Sequence, residues 1–115
     1  MNKGEIYLVN FDPSTGNEFK KVRPAIVLQS EKISSSLLTI MPISSQLQKR
    51  GLSDIEINKT KENRLFLDSV IKVKQISSFD KNRFIHFIGH VNEKIIKEID
   101  NYLMRHFGLR TPPVR

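Results

Sequence analysis

Arg23, Ser44, Ser45, Lys72, Lys74 and Glu18 combine into a chemistry that none of them carries alone. Arg23 lies in the stretch Val22-Arg23-Pro24-Ala25-Ile26-Val27-Leu28-Gln29. Its guanidinium is a rigid fork of donors that matches phosphate oxygens. Ser44 and Ser45 follow Pro42 and Ile43, just past an expected strand end, where a hydroxyl could donate to a non-bridging oxygen. Lys72 and Lys74 alternate with apolar residues and so would share one strand face. Glu18 is a carboxylate in the loop that leads to Arg23. Brought together, these groups make a groove that grips a sugar-phosphate chain without a metal. RNA carries its own nucleophile, the 2′-hydroxyl. Such a groove need only align that hydroxyl, take its proton and neutralise charge on the phosphorus oxygens. Taken singly, each group has a plain reading: a solvated arginine, serines in a turn, lysines facing water.

Other chemistries lack their residues. There is no cysteine, so disulfides and thiolate metal sites are excluded. The histidines fall at 86, 90 and 106, with no acidic cluster beside them. The even spacing of His86 and His90 predicts a shared strand face. With no third ligand nearby they read as structural histidines, and no metal or cofactor is expected. No Gly-rich phosphate loop and no G-x-S-x-G elbow occurs.

The elements that must position the groove are mostly short strands. Proline cannot donate to a sheet ladder, so Pro24 suits the first residue of a strand, and Ala25 to Leu28 reads as that buried strand. Arg23 would then stand where a rigid frame meets a loop. Residues Ile6 to Asn10 read as the first strand, with Ile6 and Leu8 on one face and Tyr7 and Val9 on the other. The connection from Asp12 to Val22 is long for a hairpin, where about two to five residues are usual. It carries Glu18, Phe19, Lys20 and Lys21. Further strands are expected at Leu37 to Ile43, Asp54 to Ile57, Ser69 to Ile76 and Phe84 to Val91, with a helical turn over Asp80 to Arg83. Asn92 is placed to cap one C-terminal helix, with Glu93 in its first turn. Ile95, Ile96, Ile99, Leu103 and Phe107 form its apolar stripe, and Gly108 fits the left-handed position that ends it. The tail from Arg110 to Arg115 reads as frayed.

The expected fold is therefore mainly β with a C-terminal α-helix: a small, strongly curved antiparallel barrel. One helix cannot cover both faces of such a sheet, which predicts a symmetric homodimer on the bare face. The 115 residues fit a single domain, 1–115. Net charge is +7, which predicts attraction to polyanions or to an acidic partner. No apolar run of about 18 residues exists to span a membrane, and the N-terminus shows no signal-peptide core. A cytoplasmic location is expected.

Several stretches resemble the MazF/PemK toxin family. Gly4-Glu5-Ile6-Tyr7-Leu8-Val9-Asn10-Phe11-Asp12-Pro13 opens as that family does. Thr15-Gly16-Asn17-Glu18 and Arg23-Pro24-Ala25-Ile26-Val27-Leu28 continue the pattern. Pro42-Ile43-Ser44-Ser45-Gln46 is similar to a second family signature, and Asp68-Ser69-Val70-Ile71 with Gln75-Ile76 and Asp80 to a third. The resemblance implies a dimeric SH3-like barrel, of the CcdB-MazF kind, that cleaves single-stranded RNA without metal. It implies products with a 2′,3′-cyclic phosphate and a 5′-hydroxyl. It also implies a cognate antitoxin whose acidic, disordered segment occupies the RNA groove. Carried onto this chain, it makes Arg23 the catalytic arginine and Ser44 the catalytic hydroxyl. Asn17, Glu18 and Gln75 match positions lining the groove, and Ser45 and Gln46 lie in the second signature. Lys20, Lys21, Lys72 and Lys74 are expected to make the groove positive.

The sequence departs from the family pattern in three places. Phe19-Lys20-Lys21-Val22 stands where many relatives have glycines, serine stands for the common threonine, and Lys74 replaces a frequent carboxylate. The last change leaves Glu18 as the acidic candidate for a general base, or as a residue that orients Arg23 or reads a base edge. Two further readings compete with RNA cleavage: a CcdB-like gyrase-poisoning toxin, and a basic nucleic-acid-binding module that does not cut.

Overall fold

Alternating apolar runs and polar turns resolve into strands whose pairing is visible in the computed structural model, which describes residues 1–11, 22–30 and 36–109. Among the described residues, seven antiparallel strands form one sheet: β1 (Glu5–Asn10), β2 (Val22–Val27), β3 (Leu37–Ser44), β4 (Ile55–Ile57), β5 (Ser69–Ile71), β6 (Ser77–Asp80) and β7 (Phe84–His90). They are followed by one helix, α1 (Glu93–His106). The order across the sheet is β4-β5-β3-β2-β1-β7, and β6 also pairs with β3. Among the described residues, the mainly β architecture with one C-terminal α-helix is as the sequence predicts.

The long strand β3 organises the sheet. Its N-terminal half pairs with β6 and its C-terminal end with β5, on the edge opposite β2. The chain crosses from β5 to β6 through a 3₁₀ turn at Val73–Gln75. The expected continuous strand from Ser69 to Ile76 is therefore corrected: it stops at Ile71, and β6 was not foreseen. Ser77-Ser78-Phe79-Asp80 is polar, and its pairing comes from β3 rather than from its own composition.

β2 also starts earlier than expected, at Val22. Val27 O accepts from Gly4 N, and Leu28 N donates to Thr39 O, so the even-numbered residues of β2 turn their amides toward β3. The β2–β3 ladder begins only at Ala25 opposite Pro42. The missing N–H of Pro24 thus points past the end of that ladder, and proline is tolerated inside the strand. Arg23 belongs to the β1–β2 ladder, opposite Val9.

The two sheet faces carry two clusters. One joins Ile6, Ile26, Met41, Ile43, Ile57, Ile71, Val73 and Val91 to Ile99 and Tyr102 of α1. The other joins Val9, Ala25, Val27 and Ile40, ringed by Tyr7, Phe11, Phe79 and Phe84. Tyr7, Phe11, Phe79 and Phe84 pack on the second cluster, whose four central residues are fully buried within one chain, while Phe87, paired with Tyr7, stays exposed on that side.

α1 is capped as expected: the Asn92 side chain accepts from Ile95 N at 3.0 Å. Gly108 takes φ +65°, the left-handed conformation that follows the helix end. The apolar stripe differs in two residues. Tyr102 is buried and its hydroxyl meets His106 Nδ1 at 3.0 Å, while Phe107 caps the helix and is exposed. β7 carries an irregularity between the pairs Ile6↔Gly89 and Tyr7↔Phe87. His86 pairs with Leu8 and His90 with Glu5. Leu8 and Glu5 are three residues apart on β1 and face opposite ways, so the two histidines do not share a face.

Gly89 marks where the loop after β4 presses on the sheet. A Cβ there would stand 2.5 Å from Glu62 O and 2.8 Å from the Asn63 backbone carbon. His90 N also donates to Glu62 O. Gly89→Ala is expected to destabilise the protein by about 1–3 kcal/mol, because backbone rather than a flexible side chain must move. Chemical unfolding checks this; an unchanged midpoint would mean that the loop yields freely.

Candidate active site

The β2–β3 register determines which chemical groups meet. The observed pairs are Ala25↔Pro42, Ile26↔Met41 and Val27↔Ile40. Continued by two residues, this register sets Arg23 opposite Ser44, where the two strands part. Both residues then lie on one face, by strict alternation from Ala25 and Pro42. Both line one open cavity of about 360 Å³, together with Val22, Pro24, Ser45, Gln46 and the segment Leu65-Phe66-Leu67. Pro24 and Ile43 add apolar surface to its lining.

Ser44 is the last residue of β3, paired with Val70 of β5, rather than a residue beyond the strand end. Its Oγ accepts from Gln46 N at 3.1 Å. That bond uses a lone pair and leaves the hydroxyl proton to donate to a ligand. Arg23 is exposed, and its side chain makes no hydrogen bond or ion pair among the described residues. Among the described residues nothing else engages the arginine fork or the serine proton, and both backbones belong to paired strands. Ser45 and Gln46 lie exposed in the bend that follows.

Other sequence-predicted groups fall elsewhere. Lys72 and Lys74 do not share a strand face, because β5 has ended and the 3₁₀ turn rotates successive side chains by about 120°. Lys72 Nζ donates to Asp54 Oδ2 at 2.8 Å and to Lys49 O at 3.1 Å. It is committed to an ion pair away from the cavity. Lys74 and Gln75 are exposed on the turn and do not line the cavity. Asn17, Glu18, Lys20 and Lys21 lie outside the described residues. Among the described residues no group of three His, Asp or Glu side chains is arranged to hold a metal ion. Leu65, Phe66 and Leu67 were missed as site residues. Their signal was an apolar triplet between Arg64 and Asp68, too short for a strand and set among charges.

The Lys72–Asp54 pair has its own signature. Burial tends to raise the Asp54 pKa, but the hydrogen bond and charge of Lys72 and the amides of Gly51 and Val73 outweigh it. The carboxyl is held below its ordinary value of 3.8. A depressed pKa adds stability above the ordinary carboxylate range, lost as pH falls through the folded-state value. Lys72→Met, which keeps the stem, is expected to cost about 1–3 kcal/mol near neutral pH by stranding a buried acceptor. The difference from wild type should shrink below pH ~4. A cost that persists unchanged into acid would assign the effect to packing instead.

Comparison with known proteins bears on this geometry. Residues 2–107 match the model of the PemK-like, MazF-like toxins of type II toxin-antitoxin systems. An Endoribonuclease MazF of Staphylococcus saprophyticus is 31% identical, covering 96% of this chain and 94% of the relative. The MazF crystal structure from Deinococcus radiodurans superposes with a TM-score of 0.75 at 20% identity, over 95% of this chain and 97% of that one. A mycobacterial endoribonuclease in complex with its cognate antitoxin superposes with a TM-score of 0.71 at 13% identity, over 97% of each chain. These two likenesses speak for the fold. None of the helices among the described residues is long and apolar enough to cross a membrane. On the family model and the level of identity to the staphylococcal protein, the chain belongs to the PemK/MazF-like family of type II toxin-antitoxin toxins.

Proposed function

We propose that this toxin is a sequence-specific endoribonuclease that cuts single-stranded RNA without a metal, with Arg23 and Ser44 at the reacting phosphate. The observation that carries the reading is the β2–β3 register: continued by two residues, it puts an arginine whose side chain has no partner among the described residues opposite a donor hydroxyl, and both line one cavity. Family membership supports it over a gyrase-directed toxin and over a basic module that only binds.

In this reading the 2′-hydroxyl attacks the adjacent phosphorus and loses its proton to a base. The bond to the 5′-oxygen breaks, and that oxygen gains a proton. The products are a 2′,3′-cyclic phosphate and a 5′-hydroxyl. Arg23 and Ser44 neutralise charge that grows on the non-bridging oxygens as the phosphorane forms. Ser45 and Gln46 offer further donors along the chain of the RNA. Glu18 is the acidic candidate: it takes the 2′-proton or orients Arg23. Asn17, Lys20, Lys21, Lys74 and Gln75 serve binding. Lys72, held by Asp54, contributes only field. The protein works as a single domain over the chain length, as a homodimer in the cytoplasm, and is neutralised by an acidic, partly disordered antitoxin segment laid over the cavity.

The test is cleavage of a long mixed-sequence transcript in excess EDTA, with both new ends mapped chemically. Cleavage at a few short motifs, leaving cyclic phosphate and 5′-hydroxyl, is expected. Loss of activity in EDTA or a 5′-phosphate product would overturn the mechanism. Single-turnover rates of Glu18→Gln across pH separate its two roles: a base variant loses the acidic limb of the profile, an orienting variant keeps it.

A further inference from the structure

The loop joining β4 to β5 sets an aromatic ring in water beside Arg23 and Ser44. Phe66 is 93% exposed and Leu67 59% exposed, and both line the candidate cavity. A lone exposed phenylalanine is ordinary. What distinguishes this one is the stem that holds it. Asn63, only 3% exposed, accepts from Thr60 N and Leu65 N through Oδ1, and donates through Nδ2 to Asn58 O. Asp68 Oδ1 accepts from Lys59 N across the loop, and Ser69 Oγ donates to Leu67 O. Arg64 is kept at φ +55°, a conformation that costs a non-glycine residue energy and persists only where its surroundings impose it. Against Gly89 the loop backbone packs too closely to admit a methyl group. The fold thus fixes the loop by side-chain bonds and leaves its apolar tip uncovered.

We propose that Phe66 is a stacking platform for an RNA base next to the scissile phosphate, with Leu67 beside it. This rests on the endoribonuclease reading and adds to it a residue that positions the substrate. The cavity lining is of two kinds: Arg23 and the run Ser44-Ser45-Gln46 are polar, and the run Leu65-Phe66-Leu67 is apolar. A nucleotide has the same division, with a charged phosphate at one end and a flat apolar face at the other. Aromatic rings beside arginines are the usual grip on unpaired bases. An acidic protein segment would satisfy Arg23 but leaves the bare ring unexplained.

The experiment uses a short RNA spanning a mapped cleavage site, with a 2′-deoxy nucleotide at the cut so that it binds but cannot react. Phe66→Ala is expected to weaken binding about 5- to 150-fold, the range for one lost base–aromatic stack, and Phe66→Trp to restore it. An abasic nucleotide at one position flanking the cut should weaken wild type by a similar factor and leave Phe66→Ala unaffected. The melting temperature and oligomeric state of Phe66→Ala should match wild type. Unchanged RNA affinity, a loss shared equally by every abasic position, or a loss that accompanies dissociation or unfolding would overturn the proposal. Arg23→Ala is the reference. If it cleaves normally, the site reading itself fails. If it is inert while Phe66→Ala binds normally, only the platform fails.

Discussion

Alanine at position 23 is expected to slow RNA cleavage by roughly 10²–10³-fold while the protein folds as before. The fold has little stake in this guanidinium: the side chain is exposed and has no partner among the described residues. Its backbone pairs with Val9 whatever the side chain. Stability should therefore change by no more than about 0.5 kcal/mol. In the proposed mechanism the chemistry has a large stake. Negative charge on the non-bridging oxygens grows from the bound RNA to the phosphorane, so a cation there binds the transition state more tightly than the substrate. The loss should fall mainly on the single-turnover rate and less on affinity. Lysine at position 23 keeps the charge but not the fork, and should recover only part of the rate. Single-turnover kinetics on a mapped site, with melting curves alongside, measure both. Normal cleavage by Arg23→Ala would move the chemistry elsewhere on the surface.

Ser44→Ala should slow cleavage strongly, approaching the same 10²–10³-fold for loss of one donor to the developing charge, and Ser45→Ala much less. The reason is register. Ser44 ends β3 on the face that Arg23 shares, whereas Ser45 has left the ladder. Part of the Ser44 effect is structural, since its Oγ caps the Gln46 amide; that bond accounts for about 0.5–1.5 kcal/mol of stability. Ser44→Thr keeps both the cap and the donor and should retain most of the activity. If Ser45→Ala is the slower enzyme, the working hydroxyl belongs to the bend and not to the strand.

Much of the scaffold was legible from neighbouring residues. Alternation marked β1, β3 and β7 within a residue or two, Asn92 and Gly108 marked the two ends of α1, and the Arg-Pro pair marked β2. Errors arose where a distant strand overrode local pattern. Ser69 to Ile76 alternates well, and Ile71 and Val73 are indeed both buried, yet β3 is paired by β5 and then by β6 and forces a 3₁₀ step between them. Lys72 reads as a groove cation until Asp54, 18 residues earlier, is found to claim it. Phe107 continues the helical stripe in sequence, but α1 ends before it and Tyr102 takes the buried position.

The sequence by itself determined the mainly β class with its C-terminal helix, the helix caps, the positive charge and the candidate arginine and serines. Each of these depends on residues a few positions apart or on simple composition. Only the tertiary structure decided that Arg23 and Ser44 share a cavity, that Lys72 does not join them, and that Phe66 does. Those outcomes depend on strand register and loop closure between residues some 20 to 40 positions apart. Register is selected by matching buried faces across whole strands, and a one-residue slip would have turned every side chain to the other side.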